Sequence, residues 1–113
     1  MNVYDLAHNL ARAIRENEYY KEFARAKKLI DGDAEAKKIL TDFRNRQMEV
    51  EKARLLGQKP PADKMEALHK MQEIITANQK IKSYLEAEFK FGRLMADIQK
   101  IIGEGLDLFE KNA

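Results

Sequence analysis

The chain has 113 residues, 21 Lys and Arg against 19 Asp and Glu, and no cysteine. That length fits a single helical domain over residues 1–113, and the near-balanced, interleaved charge argues against a stripe that tracks nucleic-acid phosphates. Without cysteine there can be no disulfide, no thiolate nucleophile and no cysteine-ligated zinc or iron–sulfur centre.

Gly and Pro are scarce, while Ala, Leu, Lys, Glu and Arg are plentiful, so helix is favoured almost throughout. Apolar and polar residues nowhere alternate for more than a few positions, which predicts no strand. The opening MNVYDLAHNL lacks the charged and continuously apolar segments of a signal peptide. No apolar run approaches the roughly 18 residues of a membrane span. These readings predict a protein of the cytoplasm, off the membrane and without a cofactor.

Asn2 is suited to cap a first helix reaching about Arg15, with Val3, Leu6, Ala7, Leu10 and Ile14 on one face. Asn17 offers a second cap, and Tyr20, Phe23, Ala24, Lys27 and Ile30 form the stripe of helix two. Asp31-Gly32-Asp33 is the clearest punctuation. Gly32 suits the left-handed position after a helix, and Asp33 suits the cap of the next.

Helix three is predicted from Ala34 to Leu56, with Ala36, Ile39, Leu40, Phe43 and Val50 on its buried side. Gln47 and Arg54 fall on the same line, so the seam turns polar toward its end. Gly57 and the Pro60-Pro61 pair stop the helix, and Pro61 suits the start of helix four. A linker this short places its two helices antiparallel. Helix four carries Met65, Leu68, Met71, Gln72 and Ile75 inward. Its stripe then slips phase near Ala77-Asn78-Gln79, where Asn78 suits a cap. With no proline at the break, one bent helix is the alternative.

Helix five is predicted from Gln79 to about Glu110, about 48 Å at 1.5 Å per residue. Its apolar residues from Ile81 to Phe109 sweep roughly two-thirds of the circumference, against about a third for an ordinary surface helix. The expected fold is therefore an all-α, elongated antiparallel bundle of about five helices with a long C-terminal helix. The excess of apolar surface predicts a homodimer or higher homo-oligomer built on Leu85, Phe89, Phe91, Met95, Ile98 and Ile102.

Signals of catalysis are weak. Ser83 is the only serine, Thr41 and Thr76 are the only threonines, and none sits in a nucleophile setting. His8 and His69 are each alone on their helices, without a second metal ligand at helical spacing. Gly103-Glu104-Gly105 lacks the strand and further glycines of a phosphate loop. Glu88 falls inside the apolar arc of helix five, with Gln99 almost on its line. A lone buried carboxylate costs several kcal/mol, so Glu88 is expected to find a buried polar partner in Gln47 with Arg46 or Arg54. That pairing would set register within the chain or between subunits; a polar ligand pocket is the other reading. The aromatics Tyr19, Tyr20, Phe89 and Phe91 follow the helical stripes and are expected in the core.

Several features in order resemble the bacterial YlbF/YmcA family of small helical regulators, which includes YheA-type proteins. They are Tyr4-Asp5-Leu6-Ala7, the Tyr20/Phe23 pair, Asp33 and Ala36 ahead of Phe43 and Gln47, and the Gly57 to Pro61 tip. The run Tyr84-Leu85-Glu86-Ala87-Glu88, followed by Met95 through Ile102, completes the likeness over nearly the whole chain. The resemblance implies an all-α protein that self-associates and works through protein contacts. Family members take part in a complex that supports ribonuclease Y-dependent mRNA processing and influences competence, sporulation and biofilm formation. Some members of that complex hold iron–sulfur clusters through cysteines, which this chain lacks.

The leading expectation is a non-enzymatic adaptor acting through self-association and protein partners in a regulatory complex. The alternative is direct RNA or DNA binding through Lys37, Lys38, Arg44, Arg46, Lys52 and Arg54 on helix three. Between Asp33 and Pro60, however, seven Lys and Arg face five Asp and Glu, a thin surplus for that role.

Overall fold

The computed structural model describes residues 2–106; Phe109 and Glu110, assigned to helix five above, lie outside the described residues. The fold is all-α. Its helices are α1 (Val3–Glu16), α2 (Glu18–Asp31), α3 (Ala34–Leu55), α4 (Ala62–Ala77) and α5 (Gln79–Glu104). No strand occurs among the described residues.

Local chemistry sets the joints. Asn2 Oδ1 accepts the Asp5 N–H at 2.8 Å and starts α1. A single extended residue, Asn17, separates α1 from α2; its N–H donates to Ile14 O, and its side chain accepts the Tyr19 N–H at 2.8 Å. Asn78 does the same between α4 and α5, accepting the Ile81 N–H at 3.1 Å. Its extended backbone settles the question of one bent helix: α4 and α5 are separate. Gly57 takes φ +73° after α3, the left-handed backbone that glycine reaches without strain.

Gly32 corrects the expectation for the second joint. Its φ is not positive. Its N–H still donates to Lys28 O, and the Asp33 N–H donates to Ile30 O, so the helix tightens and stops without a left-handed residue. Helix α5 also stops earlier than expected, at Glu104, giving a length of about 39 Å. The Gly103–Gly105 stretch ends it, with Leu106 N–H reaching back to Gly103 O.

Two compact units emerge. One is Ala26–Leu85; the other combines Met1–Arg25 with Glu86–Ala113, so α2 and α5 each contribute to both. The Ala26–Leu85 unit holds a dry core of Ile30, Ala36, Leu40, Phe43, Val50, Leu68, Ile75 and Ile81, flanked by Ile39, Met65, Met71, Tyr84 and Leu85. Ile81 is completely enclosed. Burying an aliphatic or Phe side chain of this kind contributes about 1.5–3 kcal/mol, so this core dominates the unit's stability. Helices α3 and α4 form its hairpin, tied across by Lys64 Nζ to Glu49 Oε2 at 2.7 Å. The hydrogen bond to Lys64 holds the Glu49 carboxyl below its usual range, and the same bond raises Lys64.

The other unit is packed differently. Among its described residues only Ala87 is a buried apolar side chain. Its organising contact is aromatic: Phe91 of α5 stacks on Phe23 at 5.6 Å between centroids and meets the edge of Tyr20 at 5.7 Å. Helix α1 has no buried residue at all.

Candidate interaction surface

On α5 the apolar arc read from the sequence divides by environment. Leu85 packs against the core of the Ala26–Leu85 unit, and Phe91 is engaged by Tyr20 and Phe23. Met95 and Ile98 are half-buried. Ile102 follows them at helical spacing and is half exposed, while Phe89 is 69% and Ile101 70% exposed. Of the six residues predicted to form an interface, Phe89 and Ile102 thus lie open, Met95 and Ile98 are partly open, and Leu85 and Phe91 already have partners within the chain. Ile101, beside Ile102 in the apolar arc, is an open residue outside those six.

The buried polar group is corrected. No described polar or charged residue is buried. Gln47 and Arg54 are exposed, and Glu88 is half-buried. Val50 and half-buried Ala53 carry the inward side of α3 in its second half, so the line of burial drifts off Gln47 and Arg54. Beside Glu88 the buried position of α5 is Ala87, which leaves Glu88 half-buried; Gln99 is exposed. Tyr19 and Phe89, expected in the core, are exposed as well.

Gln47 and Arg54 instead line an open groove of about 600 Å³ between α3 and α4, with Arg44, His69 and the apolar floor of Val50 and Leu68. Arg44 lies over the Tyr84 ring at 5.8 Å. Of the other basic residues on α3, Lys37 pairs with Asp31 at 3.6 Å, and Lys38, Arg46 and Lys52 are exposed beside Glu35, Glu49 and Glu51.

The hydroxyl groups have structural work. Thr41 and Thr76 donate to the carbonyls of Lys37 and Gln72 one turn earlier, and Ser83 accepts from Gln79. His8 and His69 are both exposed. Among the described residues no three His, Asp or Glu side chains gather as a metal site, and no helix is long and apolar enough to cross a membrane.

A family model described as "Control of competence regulator ComK, YlbF/YmcA" matches residues 3–107. A UPF0342 protein of Caldicellulosiruptor saccharolyticus is 39% identical over 107 residues, covering 95% of this chain and 89% of its own length. A UPF0342 protein of Symbiobacterium thermophilum is 38% identical over 106 residues, covering 94% of this chain and 95% of its own. Among solved structures, a DUF964 protein from Bacillus stearothermophilus matches with a TM-score of 0.76, over 93% of this chain and 92% of that one. At 23% identity, that likeness is one of fold.

Proposed function

This chain belongs to the YlbF/YmcA family, described as controlling the competence regulator ComK, and we propose that it is a regulatory adaptor that acts through contacts between polypeptides and catalyses nothing itself. The observation that carries the reading is the open apolar surface of α5, with Phe89 and Ile101 about two-thirds exposed and Ile102 half exposed. A contiguous apolar patch left in water marks a contact surface, whereas single exposed apolar side chains do not. On α5 half-exposed Ile102 shares a face with Met95 and Ile98 and adjoins Ile101. Met95 and Ile98 extend Ile102 along the helix and complete the surface proposed for self-association.

Family kinship supplies the biological setting: a cytoplasmic complex bearing on mRNA processing, competence, sporulation or biofilm formation. The dispersed charge on the outer faces suits a protein that stays soluble while its apolar surface engages a partner. Light scattering at about 10 μM tests the first step. A homodimer or larger assembly is expected, and dissociation of that assembly is expected for Phe89→Asp/Ile102→Asp. A monomeric mass for the unmodified chain overturns the reading. Titration with labelled RNA is its companion; salt-sensitive micromolar binding lost in Arg46→Glu/Lys52→Glu would favour the nucleic-acid alternative.

A further inference from the structure

The turn between α3 and α4 leaves two adjacent leucines in water: Leu55 is 79% and Leu56 63% exposed. The backbone there is fixed. Gly57 N–H donates to Arg54 O at 3.0 Å, and Gln58 N–H donates to Ala53 O at 2.9 Å. A helix end of this pattern is often closed by an apolar contact between the two positions held here by Ala53 and Gln58. A small side chain and a polar amide form no such cover, and a methyl group on Gly57 would meet nothing within 4 Å. The charge around the leucines is one-sided. From Lys52 to Ala62 there are three cations, Lys52, Arg54 and Lys59, and no carboxylate. All three are exposed, and none makes an ion pair among the described residues. Glu51 and Asp63 flank the segment, and Glu49 is already held by Lys64. Lys52 and Arg54 suit the negative end of α3, but Lys59 lies past the helix and answers no such need.

We infer that the tip from Lys52 to Lys59 docks reversibly on an anionic lipid surface, with Leu55 and Leu56 entering the headgroup region and the three cations meeting lipid phosphates. The inference goes beyond the adaptor reading and does not depend on self-association. Among the described residues no helix is long and apolar enough to cross a bilayer, so the contact is with its surface. Charge complementarity selects this occupant. Each cation close to an anionic leaflet raises affinity several-fold, and the leucines add apolar area buried at the acyl boundary. Nucleic acid would satisfy the cations and leave both leucines in water. Two leucines on a turn are also a small footing for a protein interface of ordinary size, whereas fluid lipid closes around any exposed turn. Two leucines and three cations make a contact that forms and releases, not a permanent anchor.

The test is flotation of the full-length chain with phosphatidylcholine vesicles and with equimolar phosphatidylcholine–phosphatidylglycerol vesicles, over a millimolar lipid series at low and high salt. Binding is expected to the anionic vesicles only. It should weaken about tenfold or more in high salt, in Lys52→Gln/Arg54→Gln/Lys59→Gln and in Leu55→Ser/Leu56→Ser. All five side chains are exposed, so the thermal transition should stay in place. Absence of binding to anionic vesicles overturns the inference, as does equal binding to neutral vesicles or equal binding by the leucine variant. Retention on poly-glutamate that both variants lose, without any vesicle binding, would assign the tip to an acidic polypeptide and overturn the lipid reading. Because the chain has no tryptophan, Leu56→Trp supplies an independent measurement. Its emission should shift to the blue on anionic vesicles, and unchanged emission overturns insertion of the tip.

Discussion

Asp33 and Lys80 meet across 47 residues of sequence: Lys80 Nζ lies 3.0 Å from Asp33 Oδ2, while Asp33 Oδ1 accepts the Ala36 N–H at 3.0 Å. One carboxylate caps α3 and holds the first turn of α5 to it. Asp33→Ala removes both functions, whereas Asp33→Asn keeps an oxygen for the cap and loses only the charge. The urea midpoint is therefore expected to fall furthest in Asp33→Ala, and less in Asp33→Asn and Lys80→Met. Equal loss in Asp33→Ala and Asp33→Asn would show that the cap contributes nothing.

The same carboxylate predicts a pH dependence. The Ala36 N–H first, and Lys80 second, hold the Asp33 carboxyl below its ordinary value. A group whose folded pKa is depressed stabilises above its unfolded pKa and loses that contribution as pH falls through the folded value. The stability gap between wild type and Asp33→Asn should accordingly be level near neutrality and close below about pH 4. Chemical denaturation at a series of pH values reads it; a gap that widens in acid contradicts the assignment.

Ile81 and Phe89 sit two turns apart on α5 in opposite environments, one sealed and one in water. Ile81→Ala should cost about 3 kcal/mol through lost burial and the cavity left behind. Phe89→Ser should leave the unfolding free energy of the subunit within about 0.5 kcal/mol, as for other surface changes. Denaturation at protein concentrations below any association separates the two effects.

Gly57 offers a cleaner backbone test. A methyl group there would meet nothing within 4 Å, yet φ is +73°. Gly57→Ala should thus cost about 1 kcal/mol from conformation alone, with no change in packing. A neutral outcome in thermal unfolding would mean that the turn relaxes to another shape.

Phe91 is expected to couple to Phe23 more than either couples to the solvent. A double-mutant cycle with Phe23→Leu and Phe91→Leu should yield an interaction energy of about 0.5–1.5 kcal/mol. Zero coupling would mean that the stacked pair at 5.6 Å is mere proximity.

The helix starts and the turn after α3 were legible because their causes are local. Asn2, Asn17, Asp33 and Asn78 each accept an N–H two or three residues ahead, and Gly57 turns the backbone where only glycine turns easily. Burial was less legible because it depends on neighbours. Helical period alone grouped Gln47 and Arg54 with Phe43 and Val50, but in the second half of α3 only Val50 is buried, with Ala53 half-buried beside it. On α5 periodicity could not tell Phe91, which Phe23 covers, from Phe89, which lies open. Nor could it show that α1, whose stripe looks like any core-facing helix, buries none of it and leaves Val3, Leu6 and Leu10 exposed.

Burial along α5 falls from complete at Ile81 to slight at Ile101. Amide hydrogens in its first turns should therefore exchange with solvent only when the core opens, and those near its end through fraying of a turn or two. A partner arriving at the loose end would slow exchange there without touching the anchored one. The helix can in this way register an encounter at one terminus while the other goes on holding its own subunit together.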